Sequence, residues 1–139
     1  MVRLIGSEAK LLNAIRGSIA DHDYQWACRL ADVLLALEPR FRTAILRHGG
    51  LMLARDRVLP EYDAIHFAPR VEIPVLMLNG RYDSIFPVES AQRPLFERLG
   101  ASVEAKQHVL FDVGHDFPPR NDMIRETLDL LDAHMGEVQ

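Results

Sequence analysis

Apolar residues recur at helical spacing through the first third of the chain. Leu11, Leu12, Ile15 and Ile19 share one face of residues 8 to 20. Ser7 stands where an N-cap belongs, because its hydroxyl can accept from a free amide of the first turn. "DHD" (21 to 23) reads as a turn and a second cap. Trp26, Leu30, Val33, Leu34 and Leu37 then mark one face of a second helix, which Pro39 ends. The pattern predicts a third helix from Phe41, interrupted by Gly49 and Gly50.

Residues 56 to 70, with Pro60 and Pro69, read as a connector, and beyond them the pattern changes. "VEIPVLMLNG" (71 to 80) is a short continuous apolar run closed by Asn-Gly, as expected of a strand buried on both faces. Residues 88 to 99 suit a helix with Leu95, Phe96 and Leu99 apolar, and "HVLF" (108 to 111) suits a second strand. "NDMIRETLDLLDAHMG" (121 to 136) predicts an amphipathic helix with Ile124, Thr127, Leu128, Leu131 and Met135 on its apolar face, ended by Gly136. Strands joined through helices pair in parallel by right-handed crossovers. The fold class expected is therefore α/β: a helical segment over 1–55, a connector over 56–70, and a minimal strand-helix-strand-helix unit over 71–139, together making one compact domain. Two short parallel strands do not make a stable sheet alone, because parallel sheets need more strands and both faces covered. A homodimer or higher homo-oligomer is expected on that ground.

Composition narrows the function classes. The chain has 139 residues, of which 48% are hydrophobic and 26% charged, an ordinary globular balance for one domain. A net charge of −4 and the absence of a basic stripe argue against nucleic acid as a partner. No apolar run approaches the roughly 20 residues of a membrane span, and "MVRLIGSEAKLL" lacks the apolar core of a secretory signal. Cys28 is the single cysteine, so no internal disulfide forms, and a cytoplasmic location is expected.

Two stretches carry candidate chemistry. "LNGRYDSIFPVES" (78 to 90) delivers Asp83 just after one strand, and "LFDVGHDFPPR" (110 to 120) delivers His115 just after the next. Loops at the carboxyl ends of adjacent parallel strands share one rim of a sheet. A carboxylate there can hold an imidazole in one tautomer and support its charged form. The plainer reading of Asp83 is a turn or helix cap, and of "GH" a loop.

Residues 68 to 136, "APRVEIPVLMLNGRYDSIFPVES…HVLFDVGHDFPPRNDMIRETLDLLDAHMG", resemble the C-terminal part of an α/β-hydrolase of the dienelactone-hydrolase and prolyl-oligopeptidase-like branch. The resemblance implies that Asp83 is the triad acid and His115, 32 residues later, the triad histidine. It also implies a small-molecule ester as substrate, with no cofactor. Residues 5 to 46, containing "DHDYQWACRLADVLLALEP", resemble the helical dimerisation domain of the alkyl sulfatases of the metallo-β-lactamase superfamily, which implies helices that pack on a copy of themselves. No H-x-H-x-D-H string is present, so no metal ligand is expected.

The nucleophile is missing from the pattern. The hydrolase serine belongs in G-x-S-x-G, on a sharp strand-to-helix turn. The glycines at 6, 17, 49, 50, 80, 100, 114 and 136 bracket no Ser or Cys at that spacing. Ser84, beside Asp83, ranks first among substitutes and Ser7, in "VRLIGSEAKLL", second; their plainer roles are a turn hydroxyl and an N-cap. Ser18 and Ser90 read as helix-surface residues, Ser102 as a loop residue and Cys28 as packing. His48, beside Gly49-Gly50, could border a pocket whose backbone amides line an oxyanion. The function expected is hydrolysis of small activated carboxylic esters by His115 and Asp83. The alternative is a non-catalytic self-association or partner-binding module built from hydrolase and dimerisation pieces.

Overall fold

The computed structural model describes residues 2–6, 24–51, 61, 63–115 and 119–135. Four strands form one sheet in the order β1 (Val2–Gly6), β2 (Phe41–Arg47), β3 (Val75–Gly80) and β4 (Lys106–Phe111). β1 runs antiparallel to β2, while β2, β3 and β4 are parallel. Helix α1 (Tyr24–Leu37) links β1 to β2. A π-helical turn (Val88–Gln92) leads into α2 (Arg93–Arg98) between β3 and β4, and α3 (Arg120–Met135) follows β4.

Strand alternation decides which helix covers which face. Ala44 and Leu46 of β2 and Val75 and Met77 of β3 pack with Ala31 and Leu35 of α1 and Leu95 of α2. Ile45, Leu76 and Leu78 point the other way, onto Leu130 and Met123 of α3. All six residues of β3 are buried, as the unbroken apolar run predicts for a central parallel strand. Lys106 fixes the start of β4 against the end of α2, donating to the carbonyls of Phe96 and Leu99 at 3.1 and 2.8 Å.

Three expectations need correction. The third helix predicted from Phe41 is strand β2, with Ala44 to Arg47 in register with Val75 to Leu78. A seven-residue stretch with Phe41, Ala44, Ile45 and Leu46 apolar fits either helix or strand by periodicity alone; what decides here is long-range pairing, with Thr43 Oγ1 and the Ala44 N–H both donating to the Pro74 carbonyl. The sheet accordingly has four strands instead of two, so the stability argument for an oligomer loses its premise. On α3 the apolar face is rotated: Met123 and Leu130 meet the core, while Ile124 and Leu128 are exposed. Of the stretch likened to the alkyl sulfatases, α1 is helical and β2 is part of the sheet. The helix predicted over 8 to 20 lies outside the described residues.

Candidate active site

β2, β3 and β4 end along one rim, and the residue types after them are His, Asp and His. Beyond β3 the chain turns through Arg81 and Tyr82. The Arg81 N–H donates to the Phe111 carbonyl and the Tyr82 N–H to the Val113 carbonyl, at 2.8 and 3.0 Å. These bonds tie the loop after β4 to the loop after β3. The approach is close enough that only glycine fits at position 80, since a Cβ there would lie 2.0 Å from the Gly114 oxygen.

Asp83 is buried, and its carboxylate is fully engaged. Oδ1 accepts from the backbone N–H of Ile85 and of Phe86 at 2.8 and 2.9 Å. Oδ2 faces His115 Nδ1 at 2.8 Å. Asp83 therefore closes a turn and contacts a histidine with the same carboxylate. A carboxylate accepts only, so Nδ1 carries the proton and Nε2 of the neutral ring is the basic nitrogen. Phe86, also buried, packs beside the ring with centroids 5.8 Å apart. Gln92 fixes that wall by donating to the carbonyls of Gly80 and Phe86 at 2.9 and 2.6 Å.

The third side of the site is His48. It follows β2 directly, is 1% exposed, and adopts φ 55°, the only positive φ outside glycine among the described residues. Such a backbone costs energy in a non-glycine residue and is held only where its surroundings dictate it. Two bonds dictate it here: the His48 N–H donates to the Leu78 carbonyl at 3.0 Å, and Asn79 Nδ2 donates to the Gly49 carbonyl at 2.8 Å. Gly50 then passes under Phe86, where a Cβ would meet the ring at 2.9 Å. The His48 ring lies 5.3 Å from that of His115, tilted by 53°. Burial above all lowers the His48 pKa to about 4, so the ring is neutral at ordinary pH.

His48 thus sits on a sharp turn directly after a parallel strand and just before Gly49 and Gly50. The local sequence is Leu46-Arg47-His48-Gly49-Gly50, which has neither the first glycine nor the serine of G-x-S-x-G. The usable signal was a short apolar run ending in His-Gly-Gly. Of the two ranked serines, Ser84 is exposed in the turn after Asp83, and Ser7 lies outside the described residues.

Comparison with known proteins agrees with the fold. No family profile matches the chain, and no curated protein matches it. Among solved structures, a cold-adapted esterase from an Arctic intertidal metagenomic library, in a zinc-bound form, superposes with a TM-score of 0.60 at 19% identity, over 91% of this chain and 56% of that one. TT1662 from Thermus thermophilus gives 0.61 at 22%, over 81% and 52%. A provisionally named dienelactone hydrolase from Klebsiella pneumoniae gives 0.56 at 18%, over 91% and 59%. The fold is that of an α/β-hydrolase. The chain spans a little over half the length of these relatives. This α/β-hydrolase segment includes α1 and β2 as well as the strands and helices from β3 onward. No helix among the described residues is long and apolar enough to cross a membrane.

Proposed function

We propose that the chain hydrolyses small activated carboxylic esters, with His115 as general base and Asp83 as its orienting carboxylate. The observation that carries this reading is the 2.8 Å contact between His115 Nδ1 and Asp83 Oδ2 at the rim of an α/β-hydrolase sheet. His115 Nε2 takes the proton of a water as its oxygen adds to the ester carbonyl. The imidazolium, supported by Asp83, then returns that proton to the leaving alcohol as the tetrahedral intermediate collapses. Water is the nucleophile in this scheme, because the turn after β2 holds an imidazole and no hydroxyl. Esterases among the structural relatives support the choice of ester substrates.

A second reading, a non-catalytic self-association or partner-binding module, is favoured by one observation: the left-handed turn after β2 carries a histidine where no hydroxyl or thiol stands. One assay separates the two. Hydrolysis of p-nitrophenyl acetate by the purified chain is compared with His115→Ala, Asp83→Asn, Ser84→Ala and, as a control for surface imidazole, His66→Ala. His115→Ala is expected to lose about 10²- to 10⁴-fold in rate, Asp83→Asn to be severely impaired, and the other two to match the parent. A His115→Ala protein that is folded and as fast as the parent overturns the hydrolase reading and leaves the second.

A further inference from the structure

We propose that His48, Asp83 and His115 form a binding site for one divalent first-row transition-metal ion, zinc being the best fit. Each residue offers a ligand atom, and the three atoms lie within 4.8 Å of one another. A tetrahedral zinc with bonds of about 2.0–2.1 Å holds its ligand atoms roughly 3.3 Å apart. Side-chain rotations that open the His115 Nδ1–Asp83 Oδ2 pair from 2.8 Å and bring His48 toward it give that spacing. Two imidazoles and one carboxylate suit zinc and its neighbours in the first row, and they leave a fourth position open to water.

The surroundings support this donor set. Asp83 is aimed by the two backbone N–H groups on Oδ1, which leaves Oδ2 directed at the site. His48 is aimed by its fixed left-handed backbone and by the Asn79 bond to the next residue. The way in is past His115, whose side chain is 17% exposed while that of Asp83 is 0%. Proton balance is simple. The ion takes the place of the proton shared between His115 and Asp83: His115 gives its Nδ1 lone pair to the ion and carries its proton on Nε2 instead, so the ring stays neutral. The histidine at position 48 turns the three strand ends toward a cation.

Binding is read without turnover. Chelator-treated protein is titrated with Zn²⁺ by calorimetry and with Co²⁺ by visible absorption, and imidazole ¹⁵N resonances are followed on Zn²⁺ addition. One ion per chain, a tetrahedral cobalt spectrum and shifts confined to His48 and His115 are expected. His48→Asn, which tolerates the left-handed backbone, and Asp83→Asn should each weaken Zn²⁺ by about 100-fold or more; His66→Gln should leave it unchanged. No binding by the parent, or resonance shifts at His66 and His134 in place of the pair, overturns the proposal, as does unweakened binding by folded His48→Asn and Asp83→Asn. Should either variant unfold, the resonances of the parent decide. The two readings fail separately, because these titrations contain no ester and the esterase assay is run on chelator-treated protein.

Discussion

Asp83 and Asp32 are almost equally buried, at 3% and 1% exposure, yet they sit in opposite circumstances. Asp83, after β3, has both oxygens occupied, by two backbone N–H groups and an imidazole. Asp32, on α1, has no hydrogen bond to either oxygen among the described residues. Burial alone therefore says little about a carboxylate, and the partners decide. Where strand ends converge, free backbone amides and a histidine are to hand. In the middle of a helix the amides are already committed to the turn before, and an acid facing a core finds none. The strand-end region has the local order a reactive site needs, while the α1 region holds a group that weakens the fold whenever it ionises.

The largest expected effect tests the α1 side of this contrast. Burial raises the Asp32 pKa from 3.8 to about 7. A raised folded-state value means that the contribution to stability is fully present below about pH 4, declines as pH rises, and is gone above about pH 7. The loss across that window is at most about 4 kcal/mol. Asp32→Asn should therefore raise the urea midpoint strongly at pH 8 and little at pH 4.5, and it should flatten the pH dependence between. Parallel curves for parent and variant would show that Asp32 meets water or a cation in the folded state.

The strand-end side is tested by Gly80→Ala. The added Cβ must displace the Gly114 and Val113 carbonyls, which it would approach to 2.0 and 2.6 Å. Those two residues lead directly into His115. A shift of about 1 Å at a catalytic group costs on the order of 100-fold in rate, so ester hydrolysis should fall by about that factor while the overpacking costs about 1–3 kcal/mol of stability. A stability loss with an unchanged rate would mean that the loop moves without taking His115 with it.

The same contrast explains what could be read from the sequence. The β3 run, its Asn-Gly end, and the order acid then histidine are local signals, and they were enough to bring Asp83 and His115 to one rim. β2 is different. "FRTAILR" has no strand alternation, because both its faces are covered, and its apolar spacing also suits a helix turn. Its identity comes from pairing with β3 31 residues away, through bonds such as Thr43 to Pro74. That pairing sets His48 on the same rim as Asp83 and His115; pattern reading reached only its place beside Gly49-Gly50 at the border of a pocket. On α3, Ile124 and Leu128 satisfy a helical stripe as well as Met123 and Leu130 do; only the position of the sheet selects between them.

A smaller effect is expected where the two regions are joined. Asn79 is fully buried on β3, and its Nδ2 reaches back to the Gly49 carbonyl beside His48. Asn79→Ala removes that donor and leaves the carbonyl buried without it, at a cost of about 1–3 kcal/mol. If the bond also holds the turn at His48, the ¹⁵N resonances of His48 should move while those of His66 stay. An unchanged His48 spectrum would assign the left-handed turn to Gly49 and Gly50 alone.

The smallest effect concerns Arg81 and Asp112, which bridge the same two loops as the backbone bonds that position His115. Their side chains meet at 2.7 Å, the shortest ion pair among the described residues, but they are 50% and 74% exposed. Exposed pairs gain little, because water screens the charges and two long side chains must be ordered to make the contact. Arg81→Gln should cost less than about 1 kcal/mol in thermal or urea unfolding. The loops stay tied by the Arg81 N–H to Phe111 and the Tyr82 N–H to Val113, which no side-chain substitution at position 81 removes. Ester hydrolysis by Arg81→Gln should then match the parent, and the small stability difference should vanish at high salt. A large loss of rate in Arg81→Gln would mean that the charge pair, in place of the backbone bonds, sets the position of His115.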